Sequence, residues 1–499
     1  MVFVDAKAID HHRSLRYKTL NHIPVDLQIK EEVIGLYENH FGEEMTAFEL
    51  LPGSGSYREY CRMKSKNHQA IGAYNADVKE NRAFISFSHH FFTQGMPVPE
   101  IYAVNADETC YLQEDLGDLT LFDYLSKTRE REGFSPKIVQ VYKRVLQELP
   151  RLQIFAGQGI DYSACYPRAA FDEQSMMWDL NYFKYYFLKL AKIPFDEQLL
   201  EDDFKTFTQY LLQAENNYFL YRDFQSRNIM LRDNKVAFID YQGGRKGPLQ
   251  YDLASLLYDA KADIPQDIRN QLLDFYLDEL EKYQAVDRDR FKAFYSAYVL
   301  IRIMQAMGAY GFRGFYEKKE HFLKSIPFAL DNLDYLLANH SIPVPLKELF
   351  KVLKAVSESD YLREIGQQKQ ELTVRVCSFS YKKGLPEDPS GNGGGYVFDC
   401  RAIHNPGRYD EYKQLTGRDQ EVIDFLESRS EIADFLKHVY ALVDQSVGVY
   451  QKRGFTNLSV SFGCTGGQHR SVYAAEQMAR HLENNFKLKV VLTHREQDF

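Results

Sequence analysis

YRDFQSRNIM fills residues 221–230, and FIDYQGG follows at 238–244. Asp223 and Asn228 are five positions apart, and Asp240 comes twelve after Asn228. Moving a γ-phosphoryl group requires a carboxylate beside the acceptor hydroxyl and oxygen ligands that hold Mg²⁺ against the phosphates. Asp223 suits the first role; Asn228 and Asp240 suit the second. Hard Mg²⁺ takes carboxylate, amide, water and phosphate oxygens, so no His or Cys ligand is expected. Asp and Asn are equally common in turns, so this spacing alone decides nothing. Three neighbours decide it. Arg222 precedes the Asp, the apolar strand VAFI (236–239) delivers Asp240, and GPLQYDLASLLYD (247–259) follows.

Upstream, strand AFELLP runs into the turn GSGS and then strand YREYCRMK. Backbone amides of Gly53, Ser54, Gly55 and Ser56 can approach phosphate oxygens, although such a turn also serves an ordinary hairpin. No Gly-Lys-Ser/Thr follows, so this is not a Walker loop. Strand QAIGAYN (69–75) carries no Lys, which leaves Arg58, Arg62 or Lys79 to supply a cation; otherwise they are solvated charges on a half-exposed strand. A helix over NRAFISFSHHFFTQG, a Pro-bounded strand MPVPEIYAV and a hinge at YLQEDLGDLTLFDYL (111–125) come next. The last of these resembles the hinge between two kinase lobes, where backbone from Gln113 to Leu116, including Glu114, would offer an adenine its hydrogen bonds. Residues 135–220 read as three helices, with the aromatic run WDLNYFKYYFLKL as core. Helical patterns fill 264–338, among them the buried RFKAFYSAYVLIRIMQAMGAYGF.

These motifs, over about residues 45–335, resemble the aminoglycoside phosphotransferase (choline-kinase-like) family. They are most similar to bacterial kinases that phosphorylate N-acetylmuramate or N-acetylglucosamine at the anomeric hydroxyl. The resemblance implies an α+β, protein-kinase-like bilobal fold with a small β-rich N-lobe and a helical C-lobe. It implies ATP and Mg²⁺ as cofactors, Asp223 as catalytic base, Asn228 and Asp240 as metal ligands, and Asp252 as a structural anchor. Gly53, Ser54, Gly55, Ser56, Arg58, Glu114 and Leu116 form the expected ATP site. Tyr221 stands where such kinases usually carry His, and Tyr241-Gln242 replaces the Phe-Gly of protein kinases; both bear on packing rather than chemistry.

The chain has 499 residues, 44% apolar and 26% charged, which suits a soluble protein of two or three domains. A net charge of −9 argues against a non-specific nucleic-acid binder. Six scattered cysteines without a CxxC pair point to reduced thiols in the cytoplasm rather than zinc or disulfides. The first residues have no signal-peptide core, and no apolar run reaches eighteen residues, so neither export nor a membrane span is expected.

IPVP (342–345) reads as the end of a kinase domain spanning 1–345, with residues 346–370 as a helical linker. From residue 371 the pattern changes to a separate α/β domain, 371–499. There the strand NLSVSFG meets CTGGQHRS (464–471), which opens a helix. A strand–loop–helix junction of this kind is an anion site, because free amides and the positive helix end point at one place. Cys-x5-Arg-Ser also fits a cysteine-dependent phosphatase, but Gly463 stands where such enzymes carry His, and no acid loop is identifiable.

YVFDCRAIHNPGRYD, LTGRD (415–419), GCTGGQHRS and THRE (493–496) together resemble the RapZ C-terminal domain. The resemblance implies a pocket for an amino-sugar phosphate or related metabolite. Cys464, Thr465, Gly466, Gly467, His469, Arg470 and Ser471 would hold its phosphate end, and Lys383 stands where the relative has His. Relatives also bind small RNAs, yet residues 371–499 hold 16 Lys and Arg against 17 Asp and Glu. RNA therefore gets little support.

The expected activity is ATP- and Mg²⁺-dependent phosphoryl transfer to a hydroxyl of an N-acetylhexosamine, with a fused sensor domain and compatibility with a homo-oligomer. Two alternatives stand beside it: a non-catalytic metabolite sensor or RNA adaptor, favoured by the missing strand Lys, and an aminoglycoside-type phosphotransferase, which needs an acidic pocket.

Overall fold

Along β2 (Glu59–Lys64), Cys61 and Met63 alternate with Tyr60 and Arg62, so the strand has one apolar face and one polar, aromatic face. The apolar face packs under the helix Leu27–Phe41 through Val33, Tyr37, Cys61, Met63 and Leu112. Gly72 of β3 (Gln69–Tyr74) is required there, since a Cβ would lie 2.4 Å from Val33 Cγ1. With β1 (Ala47–Leu50), β4 (Ile101–Val104) and β5 (Cys110–Glu114), these strands form an antiparallel sheet ordered β1-β2-β3-β5-β4.

This computed structural model describes residues 27–52, 58–365, 372–387, 395–453 and 455–497. The expected phosphate turn at Gly53, Ser54, Gly55 and Ser56 lies outside the described residues. The chain divides into two compact units, Met1–Gln367 and Gln368–Phe499.

In the first unit the other face of the sheet meets the helix Val78–Thr93, whose Phe84, Phe87 and Phe91 recur at helical spacing and are buried. Asp77 caps it, accepting from the Glu80 N–H at 3.3 Å. The Pro-bounded strand is shorter than its pattern suggested: MPVP stays outside it, because Pro lacks a ladder donor. Helices Pro136–Pro150, Glu173–Tyr182 and Glu197–Leu211 fill the stretch expected to hold three. Arg288–Tyr310 is buried along most of its length, as expected of a helix apolar on several faces. The unit is the bilobal α+β arrangement, a β-rich lobe and a helical lobe.

Of the segment expected to be a helical linker, the described part is helical and packs on the first unit. Lys347–Ser357 lays Leu349, Val352, Leu353 and Val356 into the first core, with Asp203 accepting from the Leu349 N–H (2.8 Å) and Glu348 from the Asp196 N–H (2.9 Å). Asp360–Ile365 adds Leu362. A helix with so complete an apolar stripe buries it rather than crossing solvent.

The second unit is a parallel sheet built from β10 (Thr373–Ser380), β11 (Gly395–Asp399), β12 (Asn457–Cys464) and β13 (Lys489–His494), in the order β11-β12-β10-β13. Its apolar core includes Val374, Val376, Val460, Phe462 and Met478. No helix among the described residues is long and apolar enough to cross a membrane.

Candidate active site and anion loop

β6 (Tyr218–Leu220) feeds the 221–228 loop, and the hairpin β7 (Ile229–Arg232) and β8 (Lys235–Phe238) returns to Asp240. Asp233 (φ 49°) and Asn234 (φ 60°) make the two-residue turn, the left-handed pair that suits a tight hairpin. This hairpin brings Asp223, Asn228 and Asp240 together: Asn228 Nδ2 donates to the Asp223 carbonyl (2.9 Å), and the Ile239 N–H donates to the Asn228 carbonyl (3.1 Å). With its Nδ2 so used, Asn228 has its amide oxygen left for a cation.

The loop is held in a costly conformation. Arg222 (φ 83°) and Asp240 (φ 70°) are non-glycine residues in the left-handed region. Asp252, fully buried, compensates by accepting from the N–H groups of Tyr221 (2.8 Å) and Arg222 (3.0 Å) and from Gln153 Nε2 (3.1 Å). Its role is thus larger than anchoring its own helix. The Arg222 guanidinium forks onto both Asp179 oxygens (2.8 and 2.5 Å) and bonds the Tyr251 hydroxyl (2.8 Å).

Both departures from the kinase pattern pack well. The Tyr221 hydroxyl donates to the Ile239 carbonyl, tying loop to metal strand. Tyr241 stacks on Phe84 with ring centroids 5.0 Å apart and shares a 2.7 Å hydrogen bond with Ser88.

Arg58 is 3% exposed, with Nη2 3.4 Å from Glu80 and Nη1 donating to Tyr60 (3.3 Å). Glu80 also accepts from Gln242 Nε2 (3.2 Å), which donates to Asp240 Oδ1 (2.7 Å). A connected set therefore runs Arg58–Glu80–Gln242–Asp240. Burial pushes the Asp240 carboxyl up, the Gln242 bond opposes this, and the Asp223 charge adds to it; the result lies above the ordinary carboxylate range. Arg62 is engaged elsewhere, holding Asp115 (2.6 and 3.1 Å) and Asp118 (2.7 Å) at the hinge. Glu114 pairs with Arg232 (3.2 Å), and Leu116 is half-buried in the same hinge. Glu80 and Asp179 escaped the reading of the chain, and Gln242 was read only for its packing. The available signal was an acidic residue in the first turn of the helix after β3.

In the second unit, the loop from Cys464 leads into the helix Arg470–Asn485. Cys464 Sγ accepts from the Gly467 N–H (3.2 Å) and lies 3.1 Å from the buried Ser471 hydroxyl. Burial pushes this thiol up, but the Ser471 hydroxyl and the N–H groups of Ser471, Gly467 and Gln468 outweigh it, so the pKa falls below the ordinary thiol value. Gly467 (φ 69°) needs to be glycine twice over, because a Cβ would sit 2.5 Å from Glu496 Cγ. Thr465 and Gly466 are exposed at the mouth.

Three side chains expected to face a phosphate are bonded to other groups. His469 Nε2 bonds the Tyr412 carbonyl (2.8 Å), Arg470 Nη1 donates to the carbonyls of Arg401 (2.9 Å) and Ile403 (2.8 Å), and Lys383 pairs with Glu496 (2.6 Å). Helix-end geometry locates amides, whereas these side chains brace the neighbouring loops. The separated motifs do converge: Gly417 N–H donates to the Gln468 carbonyl (2.9 Å), and Gln468 Nε2 to the Leu415 carbonyl (2.7 Å).

Residues 73–292 match the phosphotransferase enzyme family, and residues 372–498 match the RapZ C-terminal domain. A nucleotide-binding protein of Glaesserella parasuis is 34% identical over 188 residues, 36% of this chain and 62% of that protein. One from Albidiferax ferrireducens is 40% identical over 115 residues, 23% of this chain. The chain spans only 36% of the latter's length. Among solved structures, Plasmodium vivax ethanolamine kinase superposes with a TM-score of 0.46 at 12% identity, covering 67% of this chain and 96% of that one. Choline kinase LicA from Streptococcus pneumoniae gives 0.41 at 15% identity, covering 61% and 99%. The chain joins a phosphotransferase-family domain to a RapZ C-terminal domain.

Proposed function

We propose that this chain transfers the γ-phosphoryl group of ATP to a hydroxyl of an N-acetylated hexosamine such as N-acetylmuramate or N-acetylglucosamine, in the cytoplasm. One observation carries the reading: Asp223, Asn228 and Asp240 lie on one braced hairpin, with a carboxylate and an amide available as hard oxygen donors. That donor set suits Mg²⁺. Asn228 and Asp240 would hold the ion, which would neutralise charge on the transferring phosphate. Asp223 orients the acceptor hydroxyl and takes its proton. Arg58, steadied by Glu80, would supply the cation that β3 lacks. The C-terminal domain binds an amino-sugar phosphate or related metabolite through the amides of the Cys464–Ser471 loop, with Thr465 and Gly466 at the entrance.

A panel assay tests the kinase reading. With ATP and Mg²⁺, consumption of ATP is expected to depend on N-acetylmuramate or N-acetylglucosamine and to cease with excess chelator. Turnover driven by aminoglycosides alone, or by no acceptor at all, contradicts the sugar assignment.

A further inference from the structure

Arg245 opens β9 (Arg245–Gly247), which pairs with β6 so that Leu220 lies opposite Arg245. Asp223 is three residues beyond Leu220 and Asp240 five before Arg245, so the strand pair brings the backbone of Arg245 close to the segments that carry both aspartates, and the Asp223 charge acts on its guanidinium. Its backbone is fixed from the far side, where the Lys246 N–H donates to Ala169 (2.9 Å) and the Lys246 carbonyl accepts from Phe171 (2.7 Å).

The side chain is 6% exposed, yet its single hydrogen bond runs from Nε to the Gly243 carbonyl (3.0 Å). Among the described residues Nη1 and Nη2 have no hydrogen-bond partner and no ion pair, and neither is sealed from solvent. The adjacent acid, Asp179, is bonded to Arg222 through both oxygens and makes no hydrogen bond or ion pair with Arg245. Burial and the neighbouring Arg222 pull the Arg245 pKa down to about 10, and Asp179, Tyr251 and Asp223 offset this only in part. A buried cation with two open donors, short of negative charge, is built to receive an anion. It is also a poor neighbour for a polycationic aminoglycoside.

We propose that Arg245 binds an anionic group, a carboxylate or a phosphate, carried by the acceptor, so that an acidic N-acetylated hexosamine is preferred to a neutral one. This rests on the amino-sugar reading above. Its planar fork matches either oxyanion, and its position beside Asp223 ties anion binding to presentation of the reacting hydroxyl.

The test compares kcat/KM for N-acetylmuramate (a carboxylate), N-acetylglucosamine 6-phosphate (a phosphate) and N-acetylglucosamine (neutral) at saturating ATP and Mg²⁺. It uses the full chain, Arg245→Gln and Arg245→Lys. The native protein is expected to favour an acidic sugar. Arg245→Gln is expected to lower the acidic-to-neutral ratio by roughly 10–100-fold, with Arg245→Lys between. Because the readout is a ratio, a smaller folded fraction does not move it. Whichever acidic sugar loses more identifies the group bound. An unchanged ratio with healthy turnover overturns this proposal alone. If none of the three sugars is phosphorylated, the amino-sugar reading fails and this proposal falls with it.

Discussion

Asp223→Ala is expected to lower kcat by about 10²–10⁴-fold, the contribution of a positioned general base, while the unfolding midpoint barely moves. The two expectations separate because of how Asp223 is built in. Its carbonyl holds the loop, accepting from Gln225 N–H and Asn228 Nδ2 (2.9 Å each), and alanine keeps that carbonyl. Its half-buried carboxylate makes no hydrogen bond to the described residues and is spare for an incoming hydroxyl. The KM for ATP should stay within a few-fold, since Arg58, Asn228 and Asp240 are untouched. Steady-state kinetics beside urea unfolding decides it; an Asp223→Ala protein with full kcat removes the base from the mechanism.

Asp252→Ala is expected to act oppositely, on stability first. It leaves the buried N–H groups of Tyr221 and Arg222 and the amide of Gln153 without their acceptor, a loss of about 2–6 kcal/mol if two donors stay unpaired. Arg222 would lose what keeps it at φ 83°, so activity should fall with stability. Asn is no rescue, because its NH₂ would face another donor. The pH dependence follows from burial, which pushes the Asp252 carboxyl up from 3.8 to about 7. The folded state therefore binds a proton more tightly than the unfolded chain, and this group's contribution to stability falls as pH rises from about 4 to 7. Urea midpoints across that window should slope less in Asp252→Ala than in the native chain; parallel slopes contradict the assignment.

The convergence of Asp223, Asn228 and Asp240 was legible because its parts are local: the three sit within 18 residues, and a short hairpin joins them. The proposed cation of the ATP site was only half legible. Arg58 was one of three candidates, and its choice depends on Glu80, which reaches it only after β2 and the helix Val78–Thr93 pack together. Arg245 carried no local signal at all, since its meaning comes from Asp179 being occupied by Arg222. The packing of Lys347–Ser357 was readable too, because Leu349, Val352, Leu353 and Val356 form an apolar stripe that demands a partner. In the second unit, motif order located the loop correctly, but which way His469, Arg470 and Lys383 turn is a question of long-range partners.

The central claim is that carboxylate and amide oxygens from one hairpin hold a metal–nucleotide complex beside Asp223. Electron paramagnetic resonance of Mn²⁺, substituted for Mg²⁺ and titrated with a non-hydrolysable ATP analogue, measures this directly. The account predicts a nucleotide-dependent Mn²⁺ site in the native chain that weakens by more than about tenfold in Asp240→Ala and in Asn228→Ala. Equal Mn²⁺ binding by all three proteins would contradict it.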